Sequence, residues 1–305
     1  MTHNNGKNLI NPPSLAGLLL TVAALITGSA GHAQNTASDP VVTAPAPTIN
    51  SLMQNPRNPL VMIQTSQGDI HIELFPEAAP QNVQRFLDLA EARLPVPETN
   101  RNTASEIHYY DGLTFHRAIR DTLIQAGAPE RANRLRPLST VADEINARGL
   151  GLEQQRLLDA SGKPHPWLNI GGQDDFQQQV LKPLYRNMNI NDADAVRVQQ
   201  STVLQRLQAM NLLQFHEMQG YRYDGSLPSR RPGRGSVMMV NRGPDTNDGE
   251  FFIALTNTPW LIGTSTVIGR VVSGLDIVER ISRGPDASTR IYQVRQINNN
   301  IQPGD

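Results

Sequence analysis

The period of the apolar positions changes several times along this chain, and each change marks an element. Leu60–Thr65 and Ile70–Phe75 read as two strands around Ser66-Gln67-Gly68-Asp69. In the second, Ile70, Ile72 and Leu74 face one way and His71 and Glu73 the other, which predicts a hairpin with one buried face. Pro80 suits the first turn of a helix. Val83, Phe86, Leu87 and Ala90 follow at helical spacing, so that helix has one apolar face with which to plug a sheet or barrel. Residues 91–106 are polar and contain proline, and are expected to form a loop.

Short strands return after Gly235: Val237–Val240, Glu250–Leu255 and Ser265–Val272. A helix over Gly274–Ser282 and a closing strand over Arg290–Ile297 complete the series. The segment 130–234 has a different texture. Phe176, Val180, Leu181, Leu184, Tyr185 and Met188 fall on one helical face that Pro183 is expected to kink or divide. Val196, Val203, Leu207 and Met210 mark a second helix, with Asn191 and Asp192 as capping candidates. The segment reads as a helical insertion packed beside a β domain, and no internal repeat is visible.

The N-terminal region adds a destination. His3 and Lys7 give a weakly basic start, Ser14–Thr27 is uncharged and apolar, and Ser29-Ala30-Gly31-His32-Ala33 offers small residues for cleavage after Ala33. Residues 1–33 thus read as a signal peptide directing the chain to a bacterial periplasm. The alternative is an uncleaved membrane anchor, although the apolar run is shorter than the ~20 residues a spanning helix needs. Residues 34–58, rich in Pro and Ala, read as a disordered tether, 59–298 as one domain and 299–305 as a flexible tail.

Composition mainly excludes. The net charge is -1, which gives no general attraction to nucleic acid or anionic lipid. Arg230, Arg231 and Arg234 form a local basic cluster that reads as a solvated loop. There are no cysteines, hence no disulfide and no thiolate metal site. The seven histidines lack HxH or HExxH spacing, and the Asn187, Asn189, Asn191 series lacks the glycine and carboxylates of a calcium loop. Neither a metal nor a cofactor is expected.

The chemistry lies in two segments about 120 residues apart. The first is Thr114-Phe115-His116-Arg117 with Ile124-Gln125-Ala126-Gly127. The second runs from Gly235 through Val237-Met238-Met239-Val240-Asn241 and Asn247 to Glu250-Phe251-Phe252-Ile253 and Pro259-Trp260-Leu261. Together they resemble the cyclophilins, the peptidyl-prolyl cis-trans isomerases. The resemblance implies a mainly β fold: a closed eight-stranded antiparallel β-barrel with two capping helices, here carrying the helical insertion. It further implies Arg117 as the catalytic residue, with Phe115, Leu123, Gln125, Met239, Val240, Asn241, Glu250, Phe252, Trp260 and Leu261 binding substrate. Gln125 would orient Arg117, and Asn241 would offer backbone groups to an extended client. His116 is read as structural, because strand alternation points it away from Arg117.

Three positions depart from the family pattern. Thr122 stands where a phenylalanine is usual, Glu250 where glutamine is usual and Ser265 where histidine is common. Thr122 removes apolar contact with the proline ring, and Glu250 is expected to pair with Arg117 and compete for its donors. Two functional readings follow: a monomeric isomerase acting on Pro-containing clients among exported proteins, or a cyclophilin-like chaperone or scaffold that binds such segments with little turnover. A third makes the insertion itself the main docking surface.

Overall fold

The computed structural model describes residues 48–97, 104–105, 107–128 and 138–297. The expected signal peptide, the first part of the tether and the tail lie outside them. None of the helices in the described residues is long and apolar enough to cross a membrane.

β1 (Leu60–Thr65) and β2 (Gly68–Leu74) form the hairpin, and Gly68 at its turn has φ +128. The sheet continues through β5 (Arg117–Ile119), β6 (Leu123–Ala126), β7 (Ser236–Met239), β8 (Phe251–Ala254), β9 (Val267–Ser273) and β10 (Ile291–Gln296). Its eight strands run in the order β10-β1-β2-β9-β7-β8-β6-β5, with every neighbouring pair antiparallel. The insertion therefore separates strands that meet in space: β6 before it pairs with β8 after it.

The expected closed barrel is corrected to an open, strongly curled half-barrel. No ladder joins β5 to β10. A single bridge, Thr114 to Arg290, spans the gap, flanked by hydrogen bonds from Phe115 N–H to Thr289 O and from Ile291 N–H to Leu113 O. The ladder stops because the next outward donor, Ala118 N–H, goes to the Asp286 carboxylate at 2.6 Å rather than to a strand.

The main core fills the inside of this curl: Ile63, Ile70, Ile72, Phe115, Ile124, Met239, Phe251 and Ile253 meet Phe86 and Leu89 of α1 (Pro80–Ala90) and Val278 and Ile281 of α7 (Leu275–Ser282). The residue before Pro80 supplies no side-chain cap to α1. Glu144, distant in sequence, accepts from Gln81 N–H and Asn82 N–H at 2.9 Å each. Those are orphan donors of the first turn, where a negative charge is also favoured by the helix dipole.

Two loop expectations change. Within 91–106, β3 (Val96–Pro97) pairs with β4 (Ala104–Ser105) as a two-residue ladder. Residues 54–58, expected within a disordered tether, are instead tied to β2. The buried Glu73 accepts from Gln54 N–H, Asn55 N–H and Asn58 Nδ2, and Arg270 Nε lies 2.9 Å away. Burial raises the affinity of Glu73 for a proton, but these donors outweigh it and hold the pKa below its ordinary value.

The insertion has its own core of Leu152, Leu157, Val180, Leu184, Val203, Leu207, Leu212 and Phe215, and Ile262 from beyond the insertion completes it. Around Pro183 the chain runs without a break from α2 (Gln173–Phe176) through one π-turn (Gln177–Leu181) into α3 (Lys182–Asn187). Proline cannot donate to the carbonyl four residues back, and the wider turn relieves its clash there. Asp192 caps α4 (Ala193–Val198) through Ala195 N–H at 2.7 Å, and α5 (Gln200–Ala209) follows. A further helix, α6 (Leu212–Met218), opens with a capping box between Asn211 and Gln214 that the periodicity did not announce.

The basic cluster is not a free solvated loop. Arg230 bonds Gln54 and Glu77 and lies over the Phe75 ring, Arg231 bonds Leu150 O, and Arg234 bonds Leu255 O and Glu279.

Candidate active site

Antiparallel register places directly opposed side chains on one face of a sheet. Arg117 opposes Gln125, Gln125 opposes Phe252, and Phe252 opposes Met238. These four residues from β5, β6, β8 and β7 thus form one row on the outer face of the sheet. Phe252 and Met238 pack with Phe75, Ala78, Ala254 and Val267 into an apolar floor, and Leu123, Val240 and Leu261 border it half-buried. Arg117 is exposed at the end of the row. β8 is buried on both faces, since Phe251 and Ile253 go to the main core while Phe252 and Ala254 line this floor.

Phe115 and Met239 do not join the floor. Phe115 is buried in the main core, its ring 6.4 Å from that of Phe251, and Met239 opposes Phe251 on the same inner side. β5 begins only at Arg117, so residues 115 and 116 lie outside the ladder and period-two alternation does not carry Phe115 to the face of Arg117. The sequence reading named Met239 for the site, but the pairing of Met238 with Phe252 and of Met239 with Phe251 turns Met238 outward and Met239 into the core.

Glu250 does not touch Arg117 directly. Its Oε1 accepts from Gln125 Nε2 at 2.6 Å and lies 2.9 Å from His116 Nε2, while its Oε2 lies 3.4 Å from Arg242 Nη2. Gln125 Oε1 then accepts from Arg117 Nη1 at 3.3 Å. A carboxylate can only accept, so Glu250 fixes which end of the Gln125 amide faces Arg117. His116, at 6% exposure, belongs to this chain of contacts through Glu250. Burial favours a protonated Glu250, but the bonds from His116 and Gln125 and the charges of His116 and Arg242 hold its pKa below the ordinary value.

Asn241 commits its side chain to structure: Nδ2 donates to Thr264 O at 2.6 Å and lies 3.4 Å from Asp143 Oδ1. Its backbone N–H and C=O have no partner among the described residues. Asp143, which the sequence did not single out, organises the surrounding loop. It accepts from Asp245 N–H at 2.9 Å and Asn247 Nδ2 at 3.0 Å, with Thr266 Oγ1 at 3.4 Å. Burial is the dominant influence on Asp143 and raises its pKa despite these donors.

Trp260 and Leu261 sit on the short 3-10 turn Pro259–Leu261, with Trp260 36% exposed. The insertion grips the segment that follows. Ile262 enters its core, and Tyr223 O–H donates to Gly263 O at 2.9 Å. Gly263 has φ +91, and a Cβ there would run into Leu152. Thr122 is half-buried in the β5–β6 turn, its hydroxyl donating to Arg120 O at 3.1 Å. Ser265 faces a narrow crevice shared with Ala78, Glu144, Arg230 and Val267.

Residues 60–300 match the family described as cyclophilin type peptidyl-prolyl cis-trans isomerase/CLD. The chain is 26% identical over 238 residues to a peptidyl-prolyl cis-trans isomerase-like 1 of Rhizopus delemar, covering 78% of this chain and 88% of that one. It is 28% identical over 221 residues to the isomerase ppi1 of Schizosaccharomyces pombe, covering 72% and 83%. A crystal structure of a cyclophilin-type isomerase from Cryptosporidium parvum aligns with a TM-score of 0.43 at 17% identity, over 79% of this chain and 99% of that one. The chain belongs to the cyclophilin-type peptidyl-prolyl cis-trans isomerases, and its activity is isomerisation of peptide bonds that precede proline.

Proposed function

We propose that Arg117 performs the isomerisation on proline rings held against the floor of Phe252, Met238, Leu123 and Leu261, and that the clients are polypeptides folding after export. Rotation about an Xaa-Pro bond crosses a barrier of about 18–20 kcal/mol because amide resonance must be broken. No bond is made or cut. The requirement is to bind the twisted amide, whose nitrogen regains its lone pair, more tightly than the planar one. Arginine meets this requirement because it stays protonated and presents several donors in a rigid fork. The unpartnered backbone of Asn241 suits an extended client added like a strand.

The observation that carries the reading is the Glu250–Gln125–Arg117 series of hydrogen bonds, which holds an exposed guanidinium beside the apolar floor. Arg117→Ala should lower turnover of a short Ala-Pro peptide by about ten-fold or more with little change in thermal stability, because the lost interaction acts in the transition state. Equal loss of folding and activity would make Arg117 a structural residue. The apolar run at 14–27 supports export to a periplasm as a monomer beginning near Gln34. Mass spectrometry of the periplasmic fraction checks this, and full-length mass in the membrane pellet would instead indicate an anchor.

A further inference from the structure

The helical insertion touches the catalytic face at two places, and between its helices and one of them lies a groove. A cavity of about 510 Å³ is lined by Pro183 and Arg186 of α3, by Met218, Gln219 and Tyr221 at the end of α6, and by Gly243 and Pro244. A second cavity of about 470 Å³ shares Asn187 and Met218 with the first and continues along α5 and α6 past Arg206 and Met210. Gly243 and Pro244 follow directly on Asn241 and Arg242. Two residues of extended chain span at most about 7 Å, so the groove opens within a few residues of the backbone of Asn241.

Its position relative to the apolar floor is fixed. The insertion is bound to the loop at 241–247 through Asp143 and to the loop at 259–265 through Ile262 and the Tyr223–Gly263 bond. The lining is mixed. Met218, Pro183, Pro244 and Tyr221 offer apolar surface. Arg186 is exposed with no partner among the described residues, and Arg206 is held only by Asn187 Oδ1 at 2.9 Å. Among the described residues, Glu217 is the sole carboxylate lining either cavity.

We infer that this groove is a second binding site for the client chain, taking the residues that flank the isomerised proline and favouring a carboxylate side chain among them opposite Arg186. The inference rests on the isomerase reading of the Arg117 site and adds specificity to it. A proline with its immediate neighbours fills the first site, while a longer acidic segment fills both. The short peptide therefore reports the first site alone, and the difference between long peptides reports the second.

The test uses the mature chain and three peptides sharing one Ala-Pro bond: a tetrapeptide, a twelve-residue peptide with Asp and Glu on both flanks, and the same length with Lys. The wild-type chain should show higher kcat/KM on the acidic long peptide than on the basic one. Arg186→Glu should leave the tetrapeptide within about two-fold, lower the acidic peptide by about five-fold and raise the basic one, as expected for reversing one exposed charge. Met218→Ala should weaken both long peptides alike without changing the tetrapeptide. Equal effects of Arg186→Glu on all three peptides, or on none, would overturn the groove. If the tetrapeptide is not turned over at all, the isomerase assignment of Arg117 fails instead. Fluorescence anisotropy of the labelled long peptides then decides the groove: loss of the acidic preference in Arg186→Glu upholds it, and unchanged binding overturns it.

Discussion

Replacing Glu250 by glutamine keeps the shape of the side chain and removes only its charge and one acceptor, so it isolates what the carboxylate does for Arg117. In the native site, turning the Gln125 amide round would sacrifice a bond to a carboxylate at 2.6 Å, worth about 1.5–3 kcal/mol, and aim its NH2 at the guanidinium. At 1.4 kcal/mol per factor of ten, the reversed state stays below about one-tenth. In the Glu250→Gln variant, both amides can reverse together. Oxygen at the Oε1 position keeps Gln125 as it is but turns the new NH2 toward Arg242; oxygen at the Oε2 position satisfies Arg242 and reverses Gln125, with His116 Nε2, 2.9 Å from Oε1, donating in the first state and accepting in the second. Arg242 is half-exposed and 3.4 Å away, so its preference is about 0.2–1 kcal/mol. The productive orientation then falls to roughly one-half to one-sixth of molecules, and kcat on an Ala-Pro peptide should fall about two- to six-fold. Arg242→Ala alone should stay within about two-fold, and in the double variant it should bring turnover back to about one-half of the native value by removing the bias, a coupling that the two single variants cannot imitate. Turnover that is unchanged or higher in Glu250→Gln, or not recovered in the double variant, would refute the orienting role. It would favour instead the competition for Arg117 donors that the bare sequence suggests.

Two further outcomes follow from the buried contacts. His216 is neutral in the fold, its pKa lowered to about 4 chiefly by burial, against an ordinary value of 6.5. Its contribution to stability is complete above about pH 6.5 and is lost as pH falls toward 4, about 3 kcal/mol in all; urea unfolding at pH 7 and 4.5 should show a smaller difference for His216→Gln, and an undiminished pH slope would discount it. Tyr223→Phe removes the bond to Gly263 O, at about 1 kcal/mol and a few degrees of Tm; because that loop carries Trp260 and Leu261, KM for an Ala-Pro peptide should rise more than kcat falls, whereas a purely structural role would leave both constants unchanged at a temperature well below the transition.

The sequence by itself determined the elements whose period is clean and local. The β1–β2 hairpin, α1 behind Pro80, α7 and the Asp192 cap were legible because alternation, proline placement and capping act over a few residues. The two motif segments also named the family, since Arg117, Gln125 and Phe252 occur in a fixed order. Tertiary structure decided what those residues face. Which of Met238 and Met239 lines the floor depends on register with β8, and Phe115 went to the core because the ladder starts two residues later. The partners of Glu250, a distant His116 and Gln125 and a nearby Arg242, lie on three different segments, so spacing along the chain carried no signal of them. Glu144 capping α1 and Asp143 bracing the loop at 241–247 are likewise long-range contacts. Buried carboxylates must find donors wherever the fold brings them, and that requirement is met only once the chain has folded.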